Sequence, residues 1–256
     1  MKHALIGRDQ TSQRLEALQT NSHTHQWSSE TDIDWEQKLV RPHWLLKRFH
    51  AALISQFMYG ERATIRVCNA LSDRIEDNLI KDLLARQIAD EQRHAVVYER
   101  YLERLGDIAP EDPALAGTVE QILQWRGSHL GLVTAVHILL EGEALRTLQD
   151  LANEYPCPLF SQINTKISQD EARHVAFGKI YLKKHLADLE LSERMAIYQF
   201  VKTVWEDTTS GLLSGYSIPG FVSRHLRNRW VREGWVLHCR SLIDIGLLKV
   251  DEIAKA

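Results

Sequence analysis

Hydrophobic residues recur along this chain at intervals of three and four positions over most of its length, and the alternation typical of β-strands is missing. This spacing places the apolar side chains on one face of a helix. Polar residues, glycine or proline interrupt the pattern at residues 72–78, 106–110 and 154–158, and we expect helices to end there. The pattern therefore predicts an all-α protein built from long helices.

Two glutamates lie on these apolar helix faces. Glu61 shares its face with Met58 and Ile65, and Glu141 shares one with Ile138. A buried carboxylate is costly unless it is paired with a cation or bound to a metal. Both glutamates are therefore candidate metal ligands.

The sequence repeats one pattern of charged residues, E-x28-D-E-x-R-H, at an offset of 80 residues. In each copy the second glutamate and the histidine are three positions apart, so they share a helix face and can bind the same metal ion. The predicted ligands are Glu61, Glu91 and His94 from the first copy, and Glu141, Glu171 and His174 from the second.

The spacing also places the ligands of each copy at one height in a helical hairpin. Glu61 and Glu91 are 30 residues apart, and Glu76, midway between them, lies in a polar stretch. The second copy has the same spacing around Pro156, which no helix crosses easily. Each glutamate is then about 15 residues, or roughly 22 Å, from its turn. Two antiparallel hairpins are predicted, with their ligands at matching heights.

The segment between the hairpins indicates how they are connected. The second helix is predicted to end near Leu105, and the third to begin near Ser128, which places Glu141 roughly 20 Å from its start. Helices two and three then run in parallel, so residues 106–127 must cross the length of the bundle. One long crossover is typical of a ferritin-like four-helix bundle, in which four glutamates and two histidines bind two metal ions.

The domain organisation follows from the remaining segments. Residues 1–30 are polar and are predicted to form an N-terminal arm or to be partly disordered. Residues 31–256 are predicted to form a single ferritin-like domain, with the metal-binding core at about 45–187 and additional C-terminal helices at about 190–256. The first of these helices is expected from Ser192, acting as its cap, to about residue 213, before a break at 214–220.

Several arginines follow this break. We expect them either to pair with acidic groups of the core or of a second subunit, or to dock an acidic partner protein. They are Arg224, Arg227, Arg229, Arg232 and Arg240.

The double motif resembles that of the ferritin-like di-iron carboxylate oxygenases. Within them it is most similar to the p-aminobenzoate N-oxygenase-like group, in which a glutamate followed by D-E-x-x-H occurs twice. The resemblance covers roughly residues 30–190 and includes the upstream run Thr31–Trp35. That N-oxygenase has an additional histidine ligand one turn before the last motif glutamate, where this chain has Ile167. Hydroxylation, N-oxygenation and desaturation all remain open.

The resemblance implies a role for each member of the motif. The first glutamate of each copy, Glu61 or Glu141, would be a terminal ligand. The glutamates of the two D-E-x-R-H runs, Glu91 and Glu171, would bridge the metals, and each histidine would bind one metal.

Neighbouring polar residues are expected to support these ligands. Asp90 and Asp170 are predicted to accept a hydrogen bond from a ligand histidine and so fix its tautomer. The arginine three residues after each aspartate would hold it charged. His137, one turn before Glu141, is either a seventh ligand or a buried neighbour of the ligands.

Tyr98 lies four residues beyond His94, where the small subunit of ribonucleotide reductase carries its radical tyrosine. We expect Tyr98 to line the pocket or support the ligands, with a stable radical as the alternative. The second copy has Gly178 at the equivalent place. Its missing side chain is expected to leave room for substrate.

Composition limits the partners. A net charge of −3 gives no reason to expect nucleic acid or an anionic membrane. The first residues lack a signal-peptide core, and the apolar run at 130–140 is too short to span a bilayer. The scattered cysteines Cys68, Cys157 and Cys239 suit a reducing compartment, so a cytoplasmic protein is expected.

The ligand set predicts redox chemistry. Four carboxylates and two imidazoles suit two iron ions, Fe²⁺ or Fe³⁺, or a manganese–iron pair. We expect an oxygenase or oxidase that uses O₂ as co-substrate on a small or carrier-bound organic substrate, with an electron-donor reductase and a possible homodimer. The alternatives are a radical-generating subunit like that of ribonucleotide reductase, and a ferritin- or rubrerythrin-like iron-oxidising protein.

Overall fold

Long helices account for the regular structure of the described part of the chain. The computed structural model describes residues 2–155, 157–212 and 220–249, with the side chains of 2–9, 44–46, 152–154 and 220–229 left aside. In chain order the elements are α1 (Lys2–Thr24), α2 (Trp44–Ser72), α3 (Asn78–Leu105), α4 (Pro113–Leu123), α5 (His129–Val133), a π-helical segment (Thr134–Leu140), α6 (Glu141–Glu154), α7 (Pro158–Leu186), α8 (Leu191–Gly211) and α9 (Gly220–Asp244).

The first predicted hairpin is formed by α2 and α3, which pack along each other. The Asp77 side chain begins α3 by accepting hydrogen bonds from the backbone N–H groups of Leu79 and Ile80. Gly106 ends it in a left-handed conformation with φ 76°, and its N–H donates back to the last turn. A residue with a side chain adopts this conformation reluctantly, which is why the helix stops at Leu105 as predicted.

The second hairpin is formed by the continuous helix α5–π–α6 and by α7. The helix α5 begins next to Ser128, as predicted, and the Ser128 side-chain oxygen caps it by accepting from Leu130 N–H. Pro156, the predicted turn residue, lies outside the described residues, but α6 ends at Glu154 and α7 begins at Pro158. The Asn164 side chain in α7 donates to the Leu148 carbonyl in α6 at 2.6 Å.

The crossover between the hairpins contains a helix of its own, α4, which packs against α2 and α8. Asp112 caps it, and the hydroxyls of Thr118 and Thr208 lie 2.5 Å apart where α4 meets α8. The crossover agrees with the prediction, whereas α4 was not predicted. The architecture is the predicted ferritin-like four-helix bundle with a long crossover and additional C-terminal helices.

The N-terminal segment forms a helix that packs against α3 and α7, whereas its composition predicted an arm or a partly disordered segment. Leu15 is buried, and both Gln19 and His23 contact Asp82 of α3, at 2.8 and 3.0 Å. Most residues of α1 are polar, which is why its composition gave no indication that it packs on the bundle. The boundary between residues 1–30 and the predicted domain 31–256 stays a prediction.

The C-terminal helices differ in detail from the prediction. The helix α8 runs from Leu191 to Gly211, and Glu190, not Ser192, is at its cap position. Most of the predicted break at 214–220 lies outside the described residues, as do the side chains of Arg224, Arg227 and Arg229. The side chains of Arg232 and Arg240 on α9 are exposed.

The buried hydrophobic residues form two clusters, and the candidate ligands lie between them. Along α3, Leu84 belongs to one cluster and Val97 to the other. Along α7, Ile167 belongs to the second cluster and Phe177 to the first. Apolar side chains thus close the polar centre on both sides along the bundle. Within the described ranges, no helix combines the length and hydropathy needed to cross a membrane.

Candidate metal centre

The six predicted ligands come together in the middle of the bundle. In each of two groups of residues, the ligand atoms all lie within 4.8 Å of one another. Glu91 belongs to both groups. The first group consists of Glu61, Glu91, His94 and Glu171, and the second of Glu91, Glu141 and His174.

The glutamates of the two D-E-x-R-H runs each reach both histidines. One oxygen of Glu91 lies 3.1 Å from His94 Nδ1, and the other lies 3.2 Å from His174 Nδ1. The two oxygens of Glu171 likewise lie 3.3 and 3.6 Å from the same two nitrogens. Each carboxylate therefore spans the centre, as a bridging ligand must.

The other two glutamates each approach one histidine. A Glu61 oxygen lies 3.7 Å from His94 Nδ1, and a Glu141 oxygen lies 4.0 Å from His174 Nδ1. These longer distances place Glu61 and Glu141 at opposite sides of the centre, consistent with the terminal positions that the resemblance implies.

Each histidine is held by the aspartate of the other copy of the motif. His94 Nε2 lies 3.0 Å from Asp170 Oδ2, and His174 Nε2 lies 3.3 Å from Asp90 Oδ2. If each Nε2–H donates to its aspartate, the lone pair on Nδ1 faces the centre, which is the tautomer a metal ligand needs.

Two arginines bind both aspartates at once. Arg93 contacts Asp90 at 2.5 Å and Asp170 at 3.0 Å, and Arg173 contacts Asp170 at 2.5 Å and Asp90 at 3.2 Å. Burial acts to raise the pKa of Asp170, but the hydrogen bond to His94 and the charge of Arg173 outweigh it and lower the pKa. Against the effect of burial, chiefly the hydrogen bond to His174 lowers the pKa of Asp90 as well, so both aspartates are charged.

Trp27, in the segment that follows α1, contacts three residues around the centre. The Trp27 indole N–H donates to Asp170 at 2.7 Å, and the indole ring stacks on His94 with ring centroids 6.1 Å apart. The Arg93 guanidinium lies over the same indole ring, 4.6 Å from its centroid. Trp27 therefore supports the aspartate, the histidine and the arginine together.

Gln87 connects His137 to the ligands. Its amide oxygen lies 3.0 Å from His137 Nε2, and its amide nitrogen donates to Glu141 and, at 3.2 Å, to Glu91. His137 Nδ1 lies 3.2 Å from the Val133 carbonyl. Both ring nitrogens of His137 thus face acceptors away from the centre, and the neutral ring donates a hydrogen bond to one of them. Of its two predicted roles, this arrangement favours the buried neighbour over the seventh ligand.

Gly178 faces His137. A Cβ added at Gly178 would lie 2.3 Å from His137 Cβ. The expectation that Gly178 leaves room for substrate is therefore wrong, because the imidazole of His137 already occupies that room. Burial lowers the pKa of His137 to about 3, so the ring is neutral at physiological pH.

Tyr98 is fully buried beside the first half of the centre. Its ring stacks on Phe57 at 6.0 Å, and its hydroxyl has no hydrogen-bond partner among the described residues. Burial, with a smaller effect of the nearby Glu61, raises the pKa of Tyr98 well above its ordinary value. The hydroxyl is therefore protonated and close to the candidate ligands.

The electrostatics of the centre favour cations. Burial and the charge of Glu91 raise the pKa of Glu61, and burial likewise raises that of Glu141. Burial would lower the pKa of His94, but hydrogen bonds to four carboxylates raise it well above its usual value. One oxygen of Glu141 and Nδ1 of His174 are buried without a hydrogen bond among the described side chains. These donor atoms fit a pair of divalent cations, whose four positive charges would balance four carboxylates.

A cavity of about 450 Å³ leads to the centre. It lies between α2, α6 and α8, and most of its lining is apolar, including Phe57, Leu139 and Trp205. Glu61 and Glu141 form part of its wall. The volume is in the range that holds small organic ligands.

Sequence reasoning missed two residues of the centre. Gln87 lies one helical turn before Glu91, so its position on the ligand face could have been predicted from α3 alone. Trp27 comes from the segment predicted to be an arm, and its contact with Asp170 joins residues 143 positions apart. Local spacing gives no signal for such a contact.

No family model and no curated protein matches this chain. Among solved structures it is similar to an R2-like ligand-binding oxidase from Sulfolobus acidocaldarius, with a TM-score of 0.59 and 18% sequence identity over 89% of each chain. At this identity the likeness shows the fold, and it agrees with the ferritin-like bundle. The narrower similarity to the p-aminobenzoate N-oxygenase-like group stays a resemblance of the motif.

Proposed function

We propose that this chain is a non-haem di-iron enzyme that uses O₂ to oxidise a small organic substrate. The observation that carries the proposal is the pair of carboxylates, Glu91 and Glu171, that each reach both histidines in a buried centre. The similarity of fold to an R2-like ligand-binding oxidase supports it.

In this proposal the ligands divide into two sets. Glu61 and His94 would hold one metal, Glu141 and His174 would hold the other, and Glu91 and Glu171 would contribute to both. Carboxylates and imidazoles suit iron, or a manganese–iron pair. When bound, such a pair supplies the electrons and the open coordination positions with which O₂ is reduced.

The surrounding residues set the protonation of the ligands. Asp170 and Asp90 keep the proton of each histidine on Nε2, so that Nδ1 stays available. Arg93 and Arg173 hold both aspartates in their charged form. Gln87 donates to two of the carboxylates and thereby fixes their orientation.

The cavity is the proposed substrate site. Its wall includes Glu61, Glu141 and Glu171, so a molecule bound there would reach the centre directly. The reaction is hydroxylation, N-oxygenation or desaturation of a free or carrier-bound substrate. Electrons for catalysis would come from a reductase, and a cytoplasmic homodimer is the proposed state.

Metal analysis tests this proposal. Protein loaded anaerobically with Fe(II) is expected to bind about two iron ions per chain, in keeping with the four-glutamate, two-histidine ligand set, and to consume O₂ when mixed with air-saturated buffer. Glu91→Ala should lose both metals, because Glu91 contributes to both groups of ligands. Glu99→Ala, which removes an exposed glutamate of the same helix, is the matched control and should keep them. Wild-type protein without iron or manganese after loading would refute the proposal.

Tyr98 favours a second candidate, a radical-generating subunit. Its buried hydroxyl, free of hydrogen bonds among the described residues, lies close to Glu61 and His94 and could be oxidised by a neighbouring metal pair. This candidate predicts a persistent organic-radical signal in electron paramagnetic resonance after exposure to O₂. The signal should vanish in Tyr98→Phe. Its absence from the wild type leaves the oxygenase or oxidase.

A further inference from the structure

Gly60 and Gly142 occupy similar positions next to the candidate ligands. Each is a helical glycine beside a motif glutamate, Gly60 before Glu61 and Gly142 after Glu141. A Cβ added at either glycine would meet nothing within 4 Å. Gly60 lines the cavity, however, whereas Gly142 does not.

A side chain at position 60 would therefore extend into the cavity beside the first candidate ligand. The missing side chain costs helix stability, because glycine is roughly 1 kcal/mol less favourable than alanine inside a helix. No close neighbour explains this cost at Gly60, unlike at Gly178, where His137 leaves no room. The free volume over Gly60 is the space next to Glu61.

The charges around the cavity restrict what can enter it. Outside the candidate ligands, the described lining has three charged side chains, Glu143, Arg146 and Asp150. Arg146 contacts Glu143 and lies 3.0 Å from Asp150, so both acids already neutralise its charge. Glu143 is also bound by the Trp230 indole N–H at 2.8 Å. These three residues leave one net negative charge, which disfavours an anionic ligand.

We propose that the cavity takes an uncharged, mainly apolar organic molecule and that Gly60 sets how deeply it enters beside Glu61. This molecule would be the substrate of the proposed enzyme, so its role in catalysis rests on the proposed function. The binding of the molecule itself depends only on the shape and charge of the cavity.

Two fluorescent probes that differ in one charged group test the proposal. N-phenyl-1-naphthylamine is neutral and apolar, and 8-anilinonaphthalene-1-sulfonate is the same molecule with a sulfonate added. Fluorescence titration of the full chain, with and without Mn(II), is expected to show one site for the neutral probe. The sulfonate should bind about tenfold or more weakly, since it meets the net negative charge of the cavity lining.

Variants of the two glycines locate the site. Gly60→Phe should weaken binding of the neutral probe about tenfold or more, because the ring fills apolar volume that the probe needs. Gly60→Ala should have a smaller effect in the same direction. Gly142→Phe is the matched control and should bind as the wild type does, and circular dichroism verifies that all three variants are folded.

Unchanged affinity in Gly60→Phe would overturn the assignment of Gly60, and equal affinity for the two probes would overturn the uncharged class. Metal content of the same samples separates this inference from the proposed function. Protein that binds the probe in a Gly60-dependent manner but takes up no iron or manganese would keep the cavity assignment and remove the oxidase. Protein that binds two metals but not the probe would remove the cavity assignment and keep the oxidase.

Discussion

At the scale of single residues, Gly178 has no side chain because His137 lies where one would be. The imidazole lies between the Val133 carbonyl and the Gln87 amide oxygen and donates a hydrogen bond to one of them, which limits how it can turn. This close approach couples a residue of α7 to the network that positions Glu141.

Replacing Gly178 should therefore destabilise the protein. A Cβ at this position would lie 2.3 Å from His137 Cβ, and the forced shift in a packed core should cost about 1–3 kcal/mol of unfolding free energy. Urea unfolding of Gly178→Ala measures this loss. Gly142→Ala is the control, since its Cβ meets nothing and helix propensity alone should stabilise it by up to about 1 kcal/mol. Equal effects of the two substitutions would contradict the role given to Gly178.

His50 should make stability depend on pH. Burial lowers the pKa of His50 to about 4, while an unfolded histidine titrates near pH 6.5. The unfolded state therefore binds more protons between these values, so the contribution of neutral His50 is fully present above pH 6.5 and is lost as the pH falls towards 4. Unfolding free energies of His50→Gln should fall less steeply than those of the wild type across this window. Parallel curves would show that His50 does not titrate in this way.

Residues of the repeated motif could be predicted from the sequence because their chemistry and spacing are local. Glu91 and His94 share a helix face whatever surrounds them. The partner of each histidine could not be assigned, because Asp90 and Asp170 both lie beside a motif glutamate and only the packing of α3 on α7 decides which histidine each aspartate reaches.

At the scale of elements, the helix α5–π–α6 contains a π-helical segment that its apolar pattern does not predict. The Glu141 N–H donates to the Val136 carbonyl five residues earlier, in place of the usual four. This wider turn shifts His137 and Glu141 relative to the α-helices on either side. Hydrophobic spacing predicts the helix, but it does not distinguish seven π-helical residues within it.

The helix α1 and the segment after it should contribute to metal affinity through Trp27. Removing the indole N–H in Trp27→Phe leaves Asp170 with one donor fewer, and loss of such supporting contacts typically costs 10–100-fold in metal affinity. Competition with a chelator measures the affinity for Mn(II).

Trp35→Phe is the matched control for this substitution. Trp35 is buried to the same extent as Trp27, and its N–H also donates at 2.7 Å, but to the Ser29 carbonyl. Affinity should be unchanged in this control. An equal loss in both variants would indicate a general effect of destabilisation and no specific role for Trp27.

At the scale of the whole molecule, folding and metal binding should be linked. Folding buries four carboxylates against one another, and their repulsion opposes folding until cations are bound. A ligand at one hundred times its Kd stabilises the folded state by about 2.7 kcal/mol. For a chain of this size that corresponds to an increase in Tm of roughly 5–11 °C.

Calorimetry with anaerobic Mn(II) measures this increase. Mg(II) should have much less effect, because it keeps its water ligands and does not favour imidazole. The Glu91→Ala variant should show no shift with Mn(II). A shift of equal size in that variant would mean that the metal acts elsewhere in the molecule.

The exchange of aspartates between the two copies of the motif bears on synthesis of the protein in the cell. When the first hairpin has left the ribosome, His94 has its neighbouring glutamates but not Asp170, which belongs to the second copy. At 5–20 residues per second, the 80 residues that separate the copies take about 4–16 s to add. An early, half-built centre therefore has a histidine that is free to turn and to bind metals weakly. We expect the chain to acquire its metals only once α7 has been synthesised and has docked, which protects it from capturing the wrong ion during translation.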